Sequence, residues 1–315
     1  MGDQKMITEN KYLTINKAGD IDLAALASGG LLPAAFQRQF FVRAIESAKG
    51  LPQFTMRPMG SFIENLPAIK FNDYVLQPGH ENTALGAGET HLPTLTQPVL
   101  TAQLFKAKVE ITREALKDNV QGNTLLNLCL DKLPAAVARD MERIIFRGDM
   151  ASATPVEAVL NGVLTQAVTH TYAGGGVKIS GTQLEAMFAL LANEDKEDPT
   201  KLKFFTAPQA ERAWQNTWGE RLTPGGDEAL KNFLPAVYHG TKIEGLGAIP
   251  VSGANRTSIL LCDPKNIVVG IWQDVELKLV EDQIADKWWI KAYVRFDVKF
   301  QDEAAVVKAT NVSTV

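Results

Sequence analysis

Residues able to carry covalent or metal chemistry are few in this sequence, and their spacing does not group them. The four histidines are His80, His91, His170 and His239. His80-Glu81 begins as a zinc-protease helix begins, where a second histidine four places after the first completes the ligand pair. Here that place is Ala84, and Pro78-Gly79 and Gly86-Ala87-Gly88 around it are turn residues. The two cysteines, Cys129 and Cys262, share no Cys-x-x-Cys spacing. They sit in apolar contexts, Leu128-Cys129-Leu130 and Ile259-Leu260-Leu261-Cys262. Both read as buried small hydrophobes of a protein kept in reducing cytosol.

Three glycine-rich stretches fail as phosphate cradles. Gly174-Gly175-Gly176-Val177-Lys178 lacks the Gly-Lys-Ser/Thr ending. Gly86-Ala87-Gly88 has no strand-to-helix context, and Gly245-Leu246-Gly247-Ala248-Ile249-Pro250 has proline where the third glycine belongs. There is no Gly-x-Ser-x-Gly turn to expose a nucleophile, and the carboxylates are scattered. The expectation is a non-enzyme with no catalytic, cofactor-binding or metal-ligating residue.

Composition narrows the class further. The 315 residues are 45% hydrophobic and 22% charged, which excludes disorder as the main state. With 32 Lys plus Arg against 36 Asp plus Glu, the net charge is −4. That is the wrong sign for a protein that lives by gripping nucleic acid, although a local basic patch is compatible with it. No window approaches 18 apolar residues, so no membrane span is expected.

The elements that would position any functional side chain follow from periodicity. Residues 1–52 form an arm with one short helix, its apolar spacing set by Phe36, Phe40, Phe41, Ala44 and Ile45. Residues 53–111 show no helical period, and prolines recur at 58, 67, 78, 93 and 98. Their second flank alternates, with Val99, Thr101, Gln103, Phe105, Ala107, Val109 and Ile111 opposed to Lys106, Lys108 and Glu110. The pattern predicts a long two-stranded excursion with a turn-rich tip. Such an excursion cannot bury both faces alone and needs a partner surface.

Thr112 is expected to cap a short helix from Arg113, and Asn123-Thr124 to open a longer one to Arg147. The long helix carries a stripe of Leu126, Leu130, Leu133, Val137, Met141 and Ile144. It would run about 37 Å at about 1.5 Å per residue. Pro134 inside it predicts a kink or a lost hydrogen bond, and Gly148 suits its C-terminal cap.

Residues 159–274 mix helices and short strands. Thr182 with Glu185 forms a capping box, Lys203 to Ala207 reads as a buried strand, and Pro208 starts a helix carrying Trp214 and Trp218. Further strands are expected at 249–251 and 258–262. Residues 275–315 are the clearest β signal. Trp288, Ile290, Ala292, Val294, Phe296, Val298 and Phe300 share one face, and Lys291, Tyr293, Arg295, Asp297 and Lys299 share the other. A long one-sided sheet backed by the 123–147 helix gives an elongated α+β domain.

Three stretches then carry a resemblance. The first runs from Gly88-Glu89-Thr90-His91-Leu92-Pro93 through Lys106-Ala107-Lys108-Val109-Glu110-Ile111-Thr112-Arg113-Glu114-Ala115-Leu116-Lys117-Asp118. The second ends Ala138-Arg139-Asp140-Met141-Glu142-Arg143-Ile144-Ile145-Phe146-Arg147-Gly148-Asp149. The third is Cys262-Asp263-Pro264-Lys265-Asn266-Ile267-Val268-Val269-Gly270, followed by Asp302-Glu303-Ala304-Ala305-Val306-Val307-Lys308-Ala309. Their order, over about residues 30–310, resembles the major capsid proteins of tailed bacteriophages. These have the Hong Kong 97-type fold, which encapsulin shells share.

The resemblance implies an α+β fold with an N-terminal arm (1–52) and an extended loop (53–111) lying over the next subunit. It also implies a peripheral domain (112–158 and 275–315, with the spine helix about 123–147) and an axial domain (159–274). The implied function is self-assembly through hexamers and pentamers into an icosahedral shell enclosing double-stranded DNA without sequence-specific binding. Implied partners are the chain itself and separate scaffolding, portal and decoration proteins, with no cofactor and no membrane. The implied location is the virion, after assembly in the host bacterial cytoplasm. Inter-subunit contacts are expected from Phe36, Phe40 and Phe41 on the arm and from Phe105, Lys106 and Lys108 on the return strand. Trp214, Trp218 and Trp289 are expected to add to them. Two other readings remain beside this one: an encapsulin-type compartment holding protein cargo, and a soluble α+β enzyme with no familiar motif.

Overall fold

The computed structural model describes residues 34–70, 76, 94–112, 114, 124–219, 236–282 and 286–314. They fall into two compact units. The first comprises Met1–Pro52, Gln103–Glu142 and Ile271–Phe296, the second Gln53–Ala102, Arg143–Gly270 and Asp297–Val315.

The first unit holds helix α1 (Ala34–Ser47), strand β6 (Gln103–Thr112), and most of helix α2 (Thr124–Arg147). It also holds most of strands β12 (Ile267–Asp282) and β13 (Lys287–Phe300). β13 lies between β12 and β6. It runs antiparallel to β6, from Lys287 opposite Thr112 to Phe296 opposite Gln103. The expected alternation holds here: Ile290, Ala292, Val294 and Phe296 are buried. Phe105 stacks on Phe296 with centroids 4.7 Å apart. On α2, Leu130, Leu133, Val137 and Met141 are buried at helical spacing. Arg43 and Asp131 pair at 3.1 Å on the surface, and the Glu142 carboxylate accepts the Gly50 N–H.

Pro134 does not divide α2, which is one continuous helix through it. Proline still removes the N–H that would have bonded back to Leu130. β12 starts at Ile267, eight residues before the alternation that signalled it, because Ile267, Val268 and Val269 are buried in succession and show no period of two.

The second unit is built on a mixed six-stranded sheet. Its strands are β7 (His170–Ala173), β8 (Lys203–Thr206), β9 (Val237–Tyr238), β10 (Thr241–Gly245), β11 (Arg256–Cys262) and β14 (Val307–Ser313), in the order β7-β14-β11-β8-β10-β9. Helices α3 (Gly181–Leu190) and α4 (Pro208–Gly219) supply Leu184, Met187 and Trp214 to a core shared with Phe204, Ile243, Ile259 and Leu261. A second aromatic group joins Phe54, Phe146 and Phe205, with centroids 5.9 to 6.2 Å apart.

Several local expectations are corrected. α3 is capped by Ser180, whose hydroxyl accepts the Gln183 N–H, so the helix begins before Thr182. Of the strand expected at 249–251, only a single bridge forms, Val251 with Thr257. Thr112 ends β6 instead of standing outside it as a cap. The helix expected after it lies outside the described residues except for helical Glu114.

The 53–111 excursion begins with β1 (Thr55–Pro58). Beyond it, β2 (Ile63–Asn65) pairs with β5 (Val99–Thr101), and β3 (Ala68–Lys70) pairs with β4 (Thr94–Thr96). Both pairs are antiparallel. Most of the tip between β3 and β4 lies outside the described residues, His80, His91 and Gly86-Ala87-Gly88 included.

Candidate assembly surfaces

Among the described residues no group of three or more His, Cys, Asp or Glu is arranged to hold a metal ion. An open hollow of about 370 Å³ is lined by Ala68, Ile69 and Thr96 and by Asp195, Lys265 and Asp302, and no cysteine, serine or histidine lines it. His239 occupies a turn with φ 45°, its ring 4.4 Å from that of Tyr238, and His170 opens β7. Cys262 is fully buried, and burial pushes its thiol pKa well up, which leaves it without thiolate chemistry. Cys129 is half-buried, a correction to the expectation that both thiols are core.

The ladder formed by the pairs β2 with β5 and β3 with β4 carries a group of exposed apolar side chains. Register sets Ile63 opposite Thr101 and Ile69 opposite Leu95. Phe62, Ile63, Ile69, Leu95 and Val99 are all exposed, Ile69 at 62% and Leu95 at 58%, and Leu76 beyond them at 90%. Apolar side chains scattered singly need no explanation; here five are grouped on two neighbouring strand pairs.

The root of this ladder, by contrast, is fixed. Leu100 and Ala102 are fully buried, and the Ala102 N–H donates to the Phe62 carbonyl at 3.0 Å. Glu64 takes Arg57 of β1 at 2.7 Å and the Gly60 N–H at 3.2 Å. Asp297, expected on the outward face of β13, is 5% exposed. Its two oxygens accept the N–H groups of Thr101 and Val298, each at 2.8 Å. Burial raises its pKa, and the two amide donors with Lys299 offset only part of that. Gly270 completes the seat: a Cβ there would lie 2.7 Å from Met59 Sδ and 2.8 Å from Leu100 Cδ1.

A second carboxylate fastens the segment before β7. Glu303 accepts the N–H groups of Val168 and Thr169 at 2.8 Å and the Thr169 hydroxyl. Burial alone would raise its pKa, but these donors and the nearby His170 outweigh it and hold it below the usual range.

The expected contact residues are placed as follows. Phe105 is half-buried against Phe296, while Lys106 and Lys108 are exposed. Trp289 is half-buried with the Lys108 Nζ 3.3 Å from its ring centroid. Phe40, at 2% exposed, and Trp214, at 5%, are core residues of the single chain, which corrects their placement at an interface. Both lie on helices whose apolar stripe already has a core to fill, so aromatic size alone was a poor guide. The side chains of Phe36, Phe41 and Trp218 lie outside the described residues. Sequence reasoning missed Asp297, Glu64, Glu303 and Gly270. Only Asp297 left a signal, as the one carboxylate among the cations of its strand face.

Comparison with known proteins agrees with this geometry. The model of the phage capsid family matches residues 28–311. A prophage capsid protein of Bacillus subtilis (strain 168), YqbE, is 24% identical over 306 residues, covering 95% of this chain and 97% of that one. Among solved structures, a chain of the satellite phage P4 procapsid, which includes the size determination (Sid) protein, is similar with TM-score 0.68 and 13% identity over 96% of both chains. The holo-SrpI encapsulin complex from Synechococcus elongatus PCC 7942 is similar with TM-score 0.52 and 11% identity, over 95% of this chain and 98% of that one. The likeness is one of fold, the α+β Hong Kong 97-type capsid fold with its projecting two-stranded loop and long helix.

Proposed function

The chain belongs to the phage capsid family, and on that premise we propose that it is the major capsid protein of a tailed phage or prophage. It assembles through hexamers and pentamers into an icosahedral shell around double-stranded DNA. The observation that carries this reading is the ladder with Phe62, Ile63, Ile69, Leu95 and Val99 exposed on a firmly seated root. A strand pair fastened at its base, with these apolar side chains exposed on it, is built to be covered. The surface that covers it is a second copy, because heterologous contacts that close into rings give every copy one ladder and one receiving surface.

In this reading residues 1–52 are the arm and 53–111 the extended loop. Residues 112–158 with 275–315 form the peripheral domain, and 159–274 the axial domain. Phe105, Lys106, Lys108 and Trp289, with Phe36, Phe41 and Trp218, contribute to contacts between copies. Scaffolding, portal and decoration proteins act as separate chains, and the virion assembles in the host cytoplasm. The net charge of −4 suits a container that holds DNA without binding it tightly.

The likeness to an encapsulin supports a second reading, a shell around protein cargo. Particles purified from cells expressing the chain with its genomic neighbours separate the two. Nuclease-resistant duplex DNA inside them supports the phage reading. Shells with an enzyme and no DNA assign the compartment reading, and the absence of any particle removes both.

A further inference from the structure

Gln53, two residues before β1, lies in a closed ring of three side chains. Its amide nitrogen donates to Glu244 Oε1 at 2.9 Å, and its amide oxygen accepts from Lys203 Nζ at 2.6 Å. Lys203 Nζ also donates to Glu244 Oε2 at 3.3 Å, which closes the ring. Lys203 stands on β8 and Glu244 on β10, parallel neighbours in the six-stranded sheet. The Glu244 side chain is 4% exposed.

Such a pair is weak ground for stability. Desolvating two charges offsets most of their attraction, and apolar side chains of similar volume often serve as well. What the ring adds is discrimination. Glutamine brings both a donor and an acceptor at the end of its side chain, and the ring uses both. A carboxylate at residue 53 would face Glu244, and an ammonium would face Lys203. Neighbouring residues do not substitute. Sliding the chain by one residue brings Pro52 or Phe54 to the ring, and sliding it by two brings Leu51 or Thr55. The first three have no polar side-chain atom, and the single short hydroxyl of Thr55 cannot span both partners. Each slip leaves Glu244 Oε1 buried without its donor, which is unfavourable.

The position of Gln53 is passed along the chain. Phe54 packs between Phe146 and Phe205, with centroids 5.9 and 6.0 Å away. The Thr55 hydroxyl donates to the Lys265 carbonyl at 2.7 Å, and Arg57 holds Glu64 of β2 at 2.7 Å. We propose that Gln53, Lys203 and Glu244 are positioning residues that act as a register key. They fix the point at which the excursion leaves the six-stranded sheet, and so the direction in which its ladder reaches a second copy. The proposal rests on the shell reading and assigns to this ring the uniformity of the shell, not the stability of the chain.

The test uses the full chain. Gln53→Glu sets a second carboxylate against Glu244. It should speed hydrogen exchange of the backbone amides over 55–66 at least about tenfold, and turn shells of one diameter into open sheets and shells of several. Adding Glu244→Gln swaps the two side chains, rebuilds the ring with donor and acceptor interchanged, and should restore both readouts. Gln53→Leu with Lys203→Met and Glu244→Leu fills the same space without the hydrogen bonds. It should keep the urea midpoint of wild type, yet show the fast exchange and the mixed products. A swapped pair no better than Gln53→Glu alone would overturn the proposal. So would an apolar triple variant that keeps slow exchange and one shell diameter, since filling space would then suffice. A wild type that forms no shells removes the shell reading, while exchange over 55–66 in these variants still decides whether the key holds.

Discussion

The Asp297 carboxylate accepts the Thr101 N–H at 2.8 Å, and Thr101 sits opposite Ile63 in the rung at the root of the projecting ladder. A carboxylate 5% exposed thus fastens the strand pair on which Ile63 and Val99 are exposed. Burying that charge is unfavourable; the gain is a ladder whose direction is set before any partner arrives.

Asp297 and Glu303 should act on pH stability with opposite sign. Asp297 has its native pKa raised, so the native state binds more protons than the unfolded state between the ordinary carboxylate value and the raised one. Its contribution is fully present below that window and is lost as pH rises through it. Glu303 has its native pKa lowered, so its contribution is present above the ordinary value and is lost as pH falls through the lowered one. Urea unfolding measured from about pH 3 to pH 7 should therefore show a steeper acid loss in Asp297→Asn and a shallower one in Glu303→Gln. Identical slopes in both variants would contradict these assignments.

Gly270 should tolerate no side chain while Leu100 keeps its place. Gly270→Ala sets a methyl 2.8 Å from Leu100 Cδ1 and 2.7 Å from Met59 Sδ, and should cost about 1–3 kcal/mol. Leu100→Ala alone should cost about 2–5 kcal/mol through the cavity it leaves. The double variant should lose less than the sum of the two single losses, because each change relieves the other. Strict additivity in denaturant unfolding would show that the two residues do not share the seat.

Gly148 poses a harder constraint. A Cβ there would meet the Leu160 carbonyl oxygen at 2.6 Å, the Ile144 carbonyl oxygen at 2.7 Å and the Gly162 nitrogen at 2.8 Å. These are backbone atoms held by the hydrogen bonds from Gly148 N to Ile144 O and from Gly162 N to Gly148 O. Gly148→Ala should lose more than about 3 kcal/mol and appear as insoluble protein, where Gly247→Ala, with open space around it, should not.

The two thiols should differ in reactivity. Cys262 is fully buried with its pKa pushed up, and Cys129 is half-buried. A thiol reagent should label at most Cys129 in the native protein and both residues in denaturant. Labelling of Cys262 without unfolding would show that β11 opens locally.

The long elements were legible because their periodicity is clean. β13 alternates over its length and α2 carries one stripe, and both were bounded to within a residue or two. Ser180 was missed because Thr182 with Glu185 offers an equally good capping pattern two residues on, and only the path of the chain decides between them. Asp297 was misplaced because alternation assigns faces but does not show that a neighbouring strand ends above one of them. Gly270 acts through Met59 and Leu100, distant along the chain, and no local pattern marks such contacts. The expectation that the excursion needs a partner surface rested on its length alone, and Ile63, Ile69, Leu95 and Val99 stand exposed on it.

The central claim is that the ladder is an assembly element and not part of the single chain's core. Ile69→Lys with Leu95→Glu places opposite charges on two exposed positions that face each other in register, so unfolding free energy should change by less than about 0.5 kcal/mol. Negative-stain electron microscopy with sedimentation on wild type and variant then decides the matter. The account predicts closed shells or rings of five and six copies for wild type, and a folded, unassembled chain for the variant. A wild type that stays monomeric at high concentration beside its genomic neighbours would contradict it, as would a variant that assembles as well as wild type.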